Sequence, residues 1–381
     1  MDRANCVSGD QMAGDPSASA GGLLEVKDVS HVYAKGDGRT VLDHVSLNVA
    51  ANDLVAVVGE SGCGKTTLGK VAAGLVKPSR GEVVFGGKDI WSLSGREHRA
   101  WRPSVQLIHQ DPYSSLNPGL TIGTVLTSGL LRNKLSRRGD VQERVLSVLR
   151  QVGLDDTPEF MHRYPHQLSG GQRQRVAIAR ALSLGPRLIV ADEVTSMLDV
   201  SMRVAILDLL LSFSAERSVS CVFISHDFGV VRYFAQGGRV VVMFYGVVVE
   251  EGPTEEVIRS PRHPYTWLLL QSLPVPDPSK ATRGRRKELR EPVEGAASSG
   301  CVFSSRCPFA EAKCREARPP LLGRGEQHYV ACYFPERVPD GGEALKGGEQ
   351  DGNAGGPGTG SSRAHDADHV VASPLGRAIG S

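Results

Sequence analysis

The sequence has no long apolar run and no strong excess of either charge. Among its 381 residues, the longest strongly apolar stretch is the ten-residue segment 240–249, which contains a glycine. A membrane-spanning helix needs about 20 apolar residues, so none is expected. Lysines and arginines number 44 against 42 aspartates and glutamates, a net charge of +2, which argues against general polyanion binding. The first 22 residues also lack the apolar core of a signal peptide.

Cysteines are few, and more than half of them lie in the last third of the chain. The sequence has seven, and this late group consists of Cys301, Cys307, Cys314 and Cys332. Without a secretion signal, such a group favours metal or redox chemistry over disulfides. Residues 1–22 and 337–381 are rich in small and polar residues, and we expect both segments to be disordered.

Between these segments, the apolar pattern indicates alternating strands and helices. The segments LLEVKDVSHVYA, TVLDHVSLNVA and DLVAVVG predict a mixed β region, and GEVVFGGKDI predicts a hairpin. Residues 112–187 are expected to be mostly helical, and three apolar strands follow in RLIVADE, SCVFISHD and RVVVMFYGVVVEEG. This alternation is typical of an α/β fold with a parallel sheet covered on both faces. We place one domain at 23–260 and a C-terminal extension at 261–336.

A glycine-rich loop stands between a predicted strand and a predicted helix. Its sequence, GESGCGKTT at 59–67, fits the pattern G-x-x-x-x-G-K-S/T. Backbone N–H groups of such a loop turn inward and, with the helix N-terminus, form an anion site. Lys65 is expected to reach the β- and γ-phosphates of a nucleotide, and Thr66 to bind Mg²⁺. The expected nucleotide contacts are Gly59, Glu60, Ser61, Gly62, Cys63, Gly64, Lys65, Thr66 and Thr67.

Cys63 within this loop carries a separate expectation. A helix N-terminus tends to lower the pKa of a thiol. We therefore expect a thiol alkylator to inhibit the nucleotide chemistry and bound ATP to protect against it.

Polar residues follow three further apolar segments. LIVADE ends in Asp192, which is expected to bind Mg²⁺, and in Glu193, which is expected to polarise a water molecule. His226 ends SCVFISHD, where an imidazole can contact a γ-phosphate. Gln110 ends LIHQ and is a candidate ligand of Mg²⁺ or of the attacking water. Strand ends of α/β sheets gather ligands, so Lys65 and these side chains predict a hydrolytic site.

Residues 168–172 read LSGGQ, and they lie between Gln110 and LIVADE. With the glycine-rich loop and His226, the order of motifs resembles that of the ATP-binding subunits of ABC transporters. The resemblance implies a P-loop NTPase fold with a RecA-like core, an antiparallel β subdomain, a helical subdomain and a small Cys-containing C-terminal extension. It also implies that Tyr33 stacks on adenine and that Asp199 lies at a dimer interface. Four signature residues would bind the ATP of the opposite subunit: Ser169, Gly170, Gly171 and Gln172.

Two positions depart from the pattern of that family. Val194 stands where the family usually has proline, and Met197 stands where it usually has alanine. Neither change touches the two carboxylates or Asp199. We expect them to affect communication between the two nucleotide sites more than hydrolysis.

Three longer segments resemble the oligopeptide, dipeptide and nickel importer group of this family. They are QDPYSSLNP, YPHQLSGGQ and HPYTWLLLQSLP, and the last begins the C-terminal extension. The resemblance implies an ATPase that powers import of peptides or a related small solute. Some relatives hold a 4Fe–4S cluster at matching cysteines, which makes Cys301, Cys307, Cys314 and Cys332 its candidate ligands. Zinc or free thiols remain open at these positions, although the spacing differs from common zinc sites.

Each motif occurs once, so the resemblance implies a dimer with a second ATPase subunit, either identical or different. It further implies two membrane-spanning permease subunits, a solute-binding protein outside the cell, and a peripheral location on the cytoplasmic face of the membrane. No nucleic-acid partner is expected. The alternatives are a nickel importer, a drug or antibiotic exporter, a soluble ABC-type ATPase acting on DNA or ribosomes, and a redox module with a vestigial ATPase.

Overall fold

The computed structural model describes residues 22–33, 38–111, 115–137, 139–271 and 299–340. All of them belong to the larger of the two units into which the chain divides, residues 1–347. Disorder was expected for residues 1–22 and 337–381, and most of both segments lies outside the described residues. Of the described part, Arg337 ends a short 3-10 helix, Pro335–Arg337, and Val338 is buried. Within the described residues, no helix combines the length and the apolar character needed to cross a membrane.

Strands and helices alternate along most of the described chain. The strands are β1 (Leu24–Val32), β2 (Thr40–Val49), β3 (Leu54–Val58), β4 (Arg80–Phe85), β5 (Lys88–Asp89), β6 (Val105–Ile108), β7 (Leu188–Asp192), β8 (Ser220–Ser225), β9 (Arg239–Phe244), β10 (Val247–Pro253), β11 (Leu322–Gly323) and β12 (Tyr329–Val330). The helices are α1 (Lys65–Ala72), α2 (Gly95–Trp101), α3 (Ile122–Arg132), α4 (Val141–Gln151), α5 (Pro158–Met161), α6 (Gly170–Ser183), α7 (Val200–Arg217), α8 (Phe228–Phe234), α9 (Thr254–Arg259), α10 (Pro264–Gln271) and α11 (Ala312–Glu316).

The larger sheet carries the nucleotide motifs. Its strand order is β11-β12-β10-β9-β3-β8-β7-β6, and β9, β3, β8, β7 and β6 are parallel. Side chains of β3 alternate between two apolar clusters: Val55 and Val57 belong to one, and Ala56 and Val58 to the other. Since successive side chains of a strand point to opposite faces, the sheet is buried on both faces, as its apolar strands predict.

The last apolar segment, RVVVMFYGVVVEEG, differs from the prediction of a single strand. It forms two antiparallel strands, β9 and β10, joined at Tyr245 and Gly246. Both residues have positive φ, 44° and 79°, which is the requirement of a two-residue hairpin turn. The chain therefore reverses, and β10 becomes an antiparallel neighbour at this side of the parallel strands.

A second, four-stranded antiparallel sheet has the order β2-β1-β4-β5. The hairpin predicted for GEVVFGGKDI corresponds to β4 and β5, with Gly86 and Gly87 at the turn. Residues 112–187 are mostly helical where described, as predicted. In α4, the buried residues Val141, Val145, Val148 and Leu149 follow the i, i+4, i+7, i+8 spacing of one helix face.

The C-terminal extension packs onto both sheets. Strand β12 pairs with β10 and so continues the larger sheet. Phe303 enters the apolar cluster that contains Val58, and Arg318 donates a 2.6 Å hydrogen bond to Asp43 on β2. The side chain of His328, which has no exposed surface, contacts Glu250 of β10 at 2.8 Å. The extension is thus an integral part of the described fold.

Candidate active site

The predicted site residues meet where four parallel strands end. Strands β3, β8, β7 and β6 are neighbours, and their carboxyl ends share one edge of the sheet. The glycine-rich loop follows β3, Gln110 lies two residues after β6, Asp192 and Glu193 lie at the end of β7, and His226 follows β8. Such an edge is the usual ligand site of α/β folds.

The glycine-rich loop leads into α1, and no side chain caps the start of this helix. Gly64 caps this helix with φ of 105° and without a side-chain hydrogen bond. A Cβ at Gly64 would lie 2.7 Å from the carbonyl oxygen of Val41, so both the angle and the space require glycine. Uncapped N–H groups at a helix start attract anions. Lys65 Nζ donates hydrogen bonds to the carbonyl oxygens of Gly59 and Glu60, at 2.8 and 2.9 Å.

Thr66 and Asp192 lie together as the magnesium prediction requires. The Thr66 hydroxyl donates to Asp192 Oδ1 at 3.2 Å. Burial raises the pKa of the Asp192 carboxyl, partly offset by the Thr66 hydrogen bond, and the charge of Glu193 raises it further. A divalent cation at these oxygens would favour the ionised carboxylate.

Glu193 forms the centre of a polar triad with Gln110 and His226. Gln110 Nε2 donates to Glu193 Oε2 at 2.9 Å, and His226 Nδ1 lies 3.3 Å from Glu193 Oε1. The backbone of Glu193 has φ of 47°, and its N–H donates to the carbonyl oxygen of Ile224. These contacts hold the Glu193 carboxylate against Gln110, the candidate ligand of the attacking water, and His226, the candidate γ-phosphate contact. The arrangement suits a carboxylate that orients a water molecule.

Tyr33 lies beside the same loop. Its hydroxyl is 3.2 Å from the Thr67 hydroxyl, and its side chain is 40% exposed. The His31 ring meets the Tyr33 ring edge-on, at 4.7 Å between centroids. An exposed aromatic face next to a phosphate site can stack on a nucleotide base.

The LSGGQ segment and Asp199 both cap helices. Ser169 caps α6: its hydroxyl accepts from the Gln172 N–H, and the Gln172 side chain accepts from the Ser169 N–H. A Cβ at Gly170 would meet no atom within 4 Å, whereas one at Gly171 would lie 2.3 Å from Met202 Sδ. Asp199 caps α7, and hydrogen bonding to the Met202 N–H lowers the pKa of its carboxyl. The start of α6 therefore lies against α7 and leaves its Gly170 side open.

The expectation that the helix start lowers the pKa of the Cys63 thiol was wrong. Its side chain is buried, and this burial raises the pKa of the thiol despite the opposing influence of Lys65. Cys63 belongs to the apolar cluster that contains Leu68, which removes its thiol from solvent. Loss of solvation outweighs the field of the helix start.

The four late cysteines line one small cavity, of about 20 Å³, together with Phe303 and Phe334. All are free thiols. Burial raises the pKa of Cys301, of Cys307 to about 11 and of Cys332 to about 12. Four cysteine thiols are the donor set that iron–sulphur clusters use, but a cavity of this size has room for little more than one water molecule. Moreover, the described residues contain no group of three or more Cys, His, Asp or Glu arranged to hold a metal ion.

Sequence reasoning missed three residues that contact this site. Ser196 donates from its hydroxyl to the Glu193 carbonyl oxygen at 2.9 Å. Tyr265 and Arg306, both in the C-terminal extension, contact Glu60 of the glycine-rich loop. The HPYT and SSRC strings around the last two offered a signal, but spacing alone gives no reason to join them to a loop two hundred residues upstream.

A glycine-rich loop at a helix start, a buried carboxylate beside a threonine hydroxyl and a second carboxylate held by Gln110 and His226 are the arrangement of a P-loop ATPase. Comparison with known families narrows this class. The ABC transporter family model matches residues 42–196. The model of the oligopeptide/dipeptide transporter C-terminal region matches residues 249–314.

Relatives agree over most of the chain. It is 44% identical over 298 residues to the probable peptide ABC transporter ATP-binding protein y4tS of Sinorhizobium fredii, covering 77% of this chain and 82% of that protein. It is 43% identical to the oligopeptide transport ATP-binding protein OppF of Salmonella typhimurium, covering 81% of this chain and 95% of OppF.

Solved structures agree on the fold. The ATP-binding cassette MJ0796, in a dimeric post-hydrolysis state bound to ADP and Pi, is 30% identical with a TM-score of 0.55, covering 61% of this chain and 98% of that one. The cbiO1 protein from Clostridium perfringens is 28% identical with a TM-score of 0.54, covering 62% of this chain and 90% of that one.

The chain belongs to the ATP-binding subunits of ABC transporters. Its fold class and its nature as an ATPase are confirmed, with ATP and Mg²⁺ as the ligands of the family. Its C-terminal region is that of the oligopeptide/dipeptide group.

Proposed function

We propose that this chain hydrolyses ATP to power the import of peptides by an ABC transporter. The observation that carries the proposal is the similarity to OppF over 95% of that protein, which extends through the C-terminal region. The triad of Gln110, Glu193 and His226 supports hydrolysis itself, because its contacts suit the activation of water.

The site residues divide the chemistry among them. Lys65 and the N–H groups at the start of α1 stabilise charge on the phosphates, and Thr66 and Asp192 hold Mg²⁺. Bound Mg²⁺ neutralises charge that develops on the phosphate oxygens. Glu193 orients the attacking water and accepts its proton, Gln110 fixes the Glu193 carboxylate, and His226 donates toward the γ-phosphate.

Two subunits would complete the nucleotide sites. The open Gly170 side of α6 is available to an ATP held by a partner ATPase, and Ser169 supports it as the helix cap. MJ0796 is dimeric in its solved structures, which supports this assembly. We propose that the dimer, with an identical or different partner, works on the cytoplasmic face of the membrane with two permease subunits and a solute-binding protein.

The four late cysteines are proposed to hold a 4Fe–4S cluster as a structural centre of the extension. Cys301, Cys307, Cys314 and Cys332 around one cavity support it. Anaerobically purified protein should contain about four irons and absorb near 400 nm. Colourless protein with about one zinc, or with no metal and four titratable thiols, would contradict the proposal.

Hydrolysis is tested by comparing Glu193→Gln with the wild type. Loss of the base should lower the ATPase rate by about 10²- to 10⁴-fold while ATP binding persists. Glu143→Gln, an exposed carboxylate on α4, is the matched control and should keep the wild-type rate. Equal rates in Glu193→Gln and wild type would eliminate Glu193 as the base.

The cargo is tested in cells that carry only the Glu193→Gln variant. Uptake of a labelled oligopeptide should stop, whereas export of drugs and uptake of nickel should continue. Loss of nickel uptake or of drug export, with peptide uptake intact, would replace the peptide proposal by that alternative.

A further inference from the structure

The C-terminal extension reaches the glycine-rich loop through an ion pair. Arg306 Nη1 donates to Glu60 Oε2 and Arg306 Nη2 donates to Glu60 Oε1, both at 2.9 Å. The two residues are 246 positions apart in the chain. Two parallel hydrogen bonds between a guanidinium and a carboxylate fix direction as well as distance, which a single lysine contact does not.

Packing holds Arg306 in this orientation. Its guanidinium carbon lies 5.6 Å from the ring centroid of Phe244 and 5.8 Å from that of Phe303. Its side chain is 13% exposed, whereas that of Glu60 is 39% exposed. Arg306 is thus held firmly on the extension side and presents a fixed hydrogen-bond donor to the loop carboxylate.

Tyr265 of α10 makes a second contact with the same loop residue. Its hydroxyl oxygen accepts a 2.8 Å hydrogen bond from the Glu60 N–H. Tyr265 is almost fully buried, and its ring packs against Phe244 and Phe303 at centroid distances of 4.6 and 5.5 Å. One aromatic cluster therefore supports both Tyr265 and Arg306.

All polar groups of Glu60 thus have partners. Arg306 binds its carboxylate, Tyr265 binds its N–H, and Lys65 Nζ donates to its carbonyl oxygen at 2.9 Å. Glu60 directly follows Gly59, the first glycine of the loop, so these bonds restrict the backbone conformation at the start of the glycine-rich loop. A loop held in its binding form before the ligand arrives loses less entropy on binding.

We propose that Arg306 and Tyr265 are positioning residues that hold the phosphate-binding loop, so that the affinity for ATP depends on the docked C-terminal extension. The inference rests on the nucleotide site proposed above. Arg306 directly precedes Cys307, so Arg306 links the segment of the four cysteines to the glycine-rich loop. Rearrangement of that segment changes ATP binding through Arg306.

The test measures the Kd for ATP with Mg²⁺ on the full chain by equilibrium titration. Arg306→Ala should weaken binding about tenfold, since a charge-assisted bidentate pair is lost. Arg306→Lys should recover part of the loss, and Tyr265→Phe should weaken binding about threefold. The matched control is Arg337→Ala, because Arg337 pairs with Glu311 and lies over the ring of Phe334 instead of contacting Glu60. It should keep the wild-type Kd.

A second readout separates positioning from general stability. Amide hydrogen exchange in the nucleotide-free protein should accelerate at residues 59–66 in Arg306→Ala and stay unchanged there in Arg337→Ala. In Arg306→Ala, KM for ATP should rise, whereas kcat should stay within about twofold of the wild-type value. The reason is that the pair acts on the ground state and the transition state alike.

Glu60→Gln removes the opposite charge of the same ion pair, on the loop side, and keeps the extension intact. If the pair acts as a unit, the double variant Glu60→Gln/Arg306→Ala should bind ATP no more weakly than Arg306→Ala. Wild-type Kd in both single variants, or fully additive losses, would overturn the inference. Wild-type protein without measurable ATP binding would instead overturn the proposed nucleotide site.

Discussion

Replacing His328 by glutamine should loosen the C-terminal extension in a manner that depends on pH. His328 Nε2 lies 2.8 Å from Glu250 Oε1, and Nδ1 lies 3.0 Å from Glu256 Oε1. Burial opposes protonation of the imidazole. Hydrogen bonding to Glu250 and the negative charge of Glu250 favour protonation, Glu256 adds the same two effects, and together they outweigh burial. The pKa of His328 is therefore raised above its ordinary value of 6.5.

The expected loss in the free energy of unfolding depends on the hydrogen bonds that Glu250 keeps after the substitution. Removing one partner of a buried pair costs about 3–5 kcal/mol when the other charge is left alone. Glu250 still accepts from the N–H groups of Arg262 at 2.6 Å and His263 at 3.0 Å. The glutamine amide can also donate one bond, so we expect His328→Gln to lower the free energy of unfolding by about 2–3 kcal/mol near pH 6.

The sign of the pH dependence follows from the raised pKa. The folded state binds the proton more tightly than the unfolded chain, so this stabilisation is fully present below about pH 6.5 and is lost as pH rises through the folded pKa. Burial lowers the pKa of His263, the neighbouring buried imidazole, to about 3; its effect on stability is present in both proteins and cancels in their difference. The difference between wild type and His328→Gln should therefore shrink in mildly alkaline solution.

Urea unfolding of both proteins at about pH 6 and about pH 8.5 measures this difference. Glu256→Gln is the control: the Glu256 side chain is 41% exposed, and its replacement should cost no more than about 1 kcal/mol. Equal stability of His328→Gln and wild type near pH 6 would refute the reasoning. A difference that grows toward alkaline pH would refute the protonated state of His328.

Three further predictions concern Cys63 in the glycine-rich loop, Gly252 on strand β10 and Tyr33 at the proposed adenine site. Cys63 should react slowly with a thiol reagent at neutral pH, because burial raises its pKa, and Cys63→Ser should leave the number of fast-reacting thiols unchanged. Gly252→Ala should lower the free energy of unfolding by about 1–3 kcal/mol, since its Cβ would lie 3.0 Å from His328 Cδ2. Gly95→Ala, with no atom near the new Cβ, is the control in the same urea titration. Tyr33→Ala should raise KM for ATP about tenfold and Tyr33→Phe should not, because stacking needs only the ring; equal KM values would exclude the stack.

Local motifs in the sequence are sufficient to predict which residues lie together at the candidate nucleotide site. The residues from Gly59 to Thr67 occupy one loop and the start of one helix, so neighbours in sequence are neighbours in space. Asp192, Glu193 and His226 each end an apolar strand, and parallel strands bring such ends to one edge. The order of these motifs, with LSGGQ, also identified the family, which the comparisons confirmed.

Tertiary structure alone decided how these parts act on one another. The direction of the pKa shift at Cys63 depends on the apolar cluster around its sulphur, and the contacts of Glu60 depend on Arg306 and Tyr265, which approach from the far end of the chain. The partners of His328 likewise lie on β10 and α9. Desolvation and long-range hydrogen bonds are properties of packed surroundings, and sequence patterns describe only neighbours along the chain.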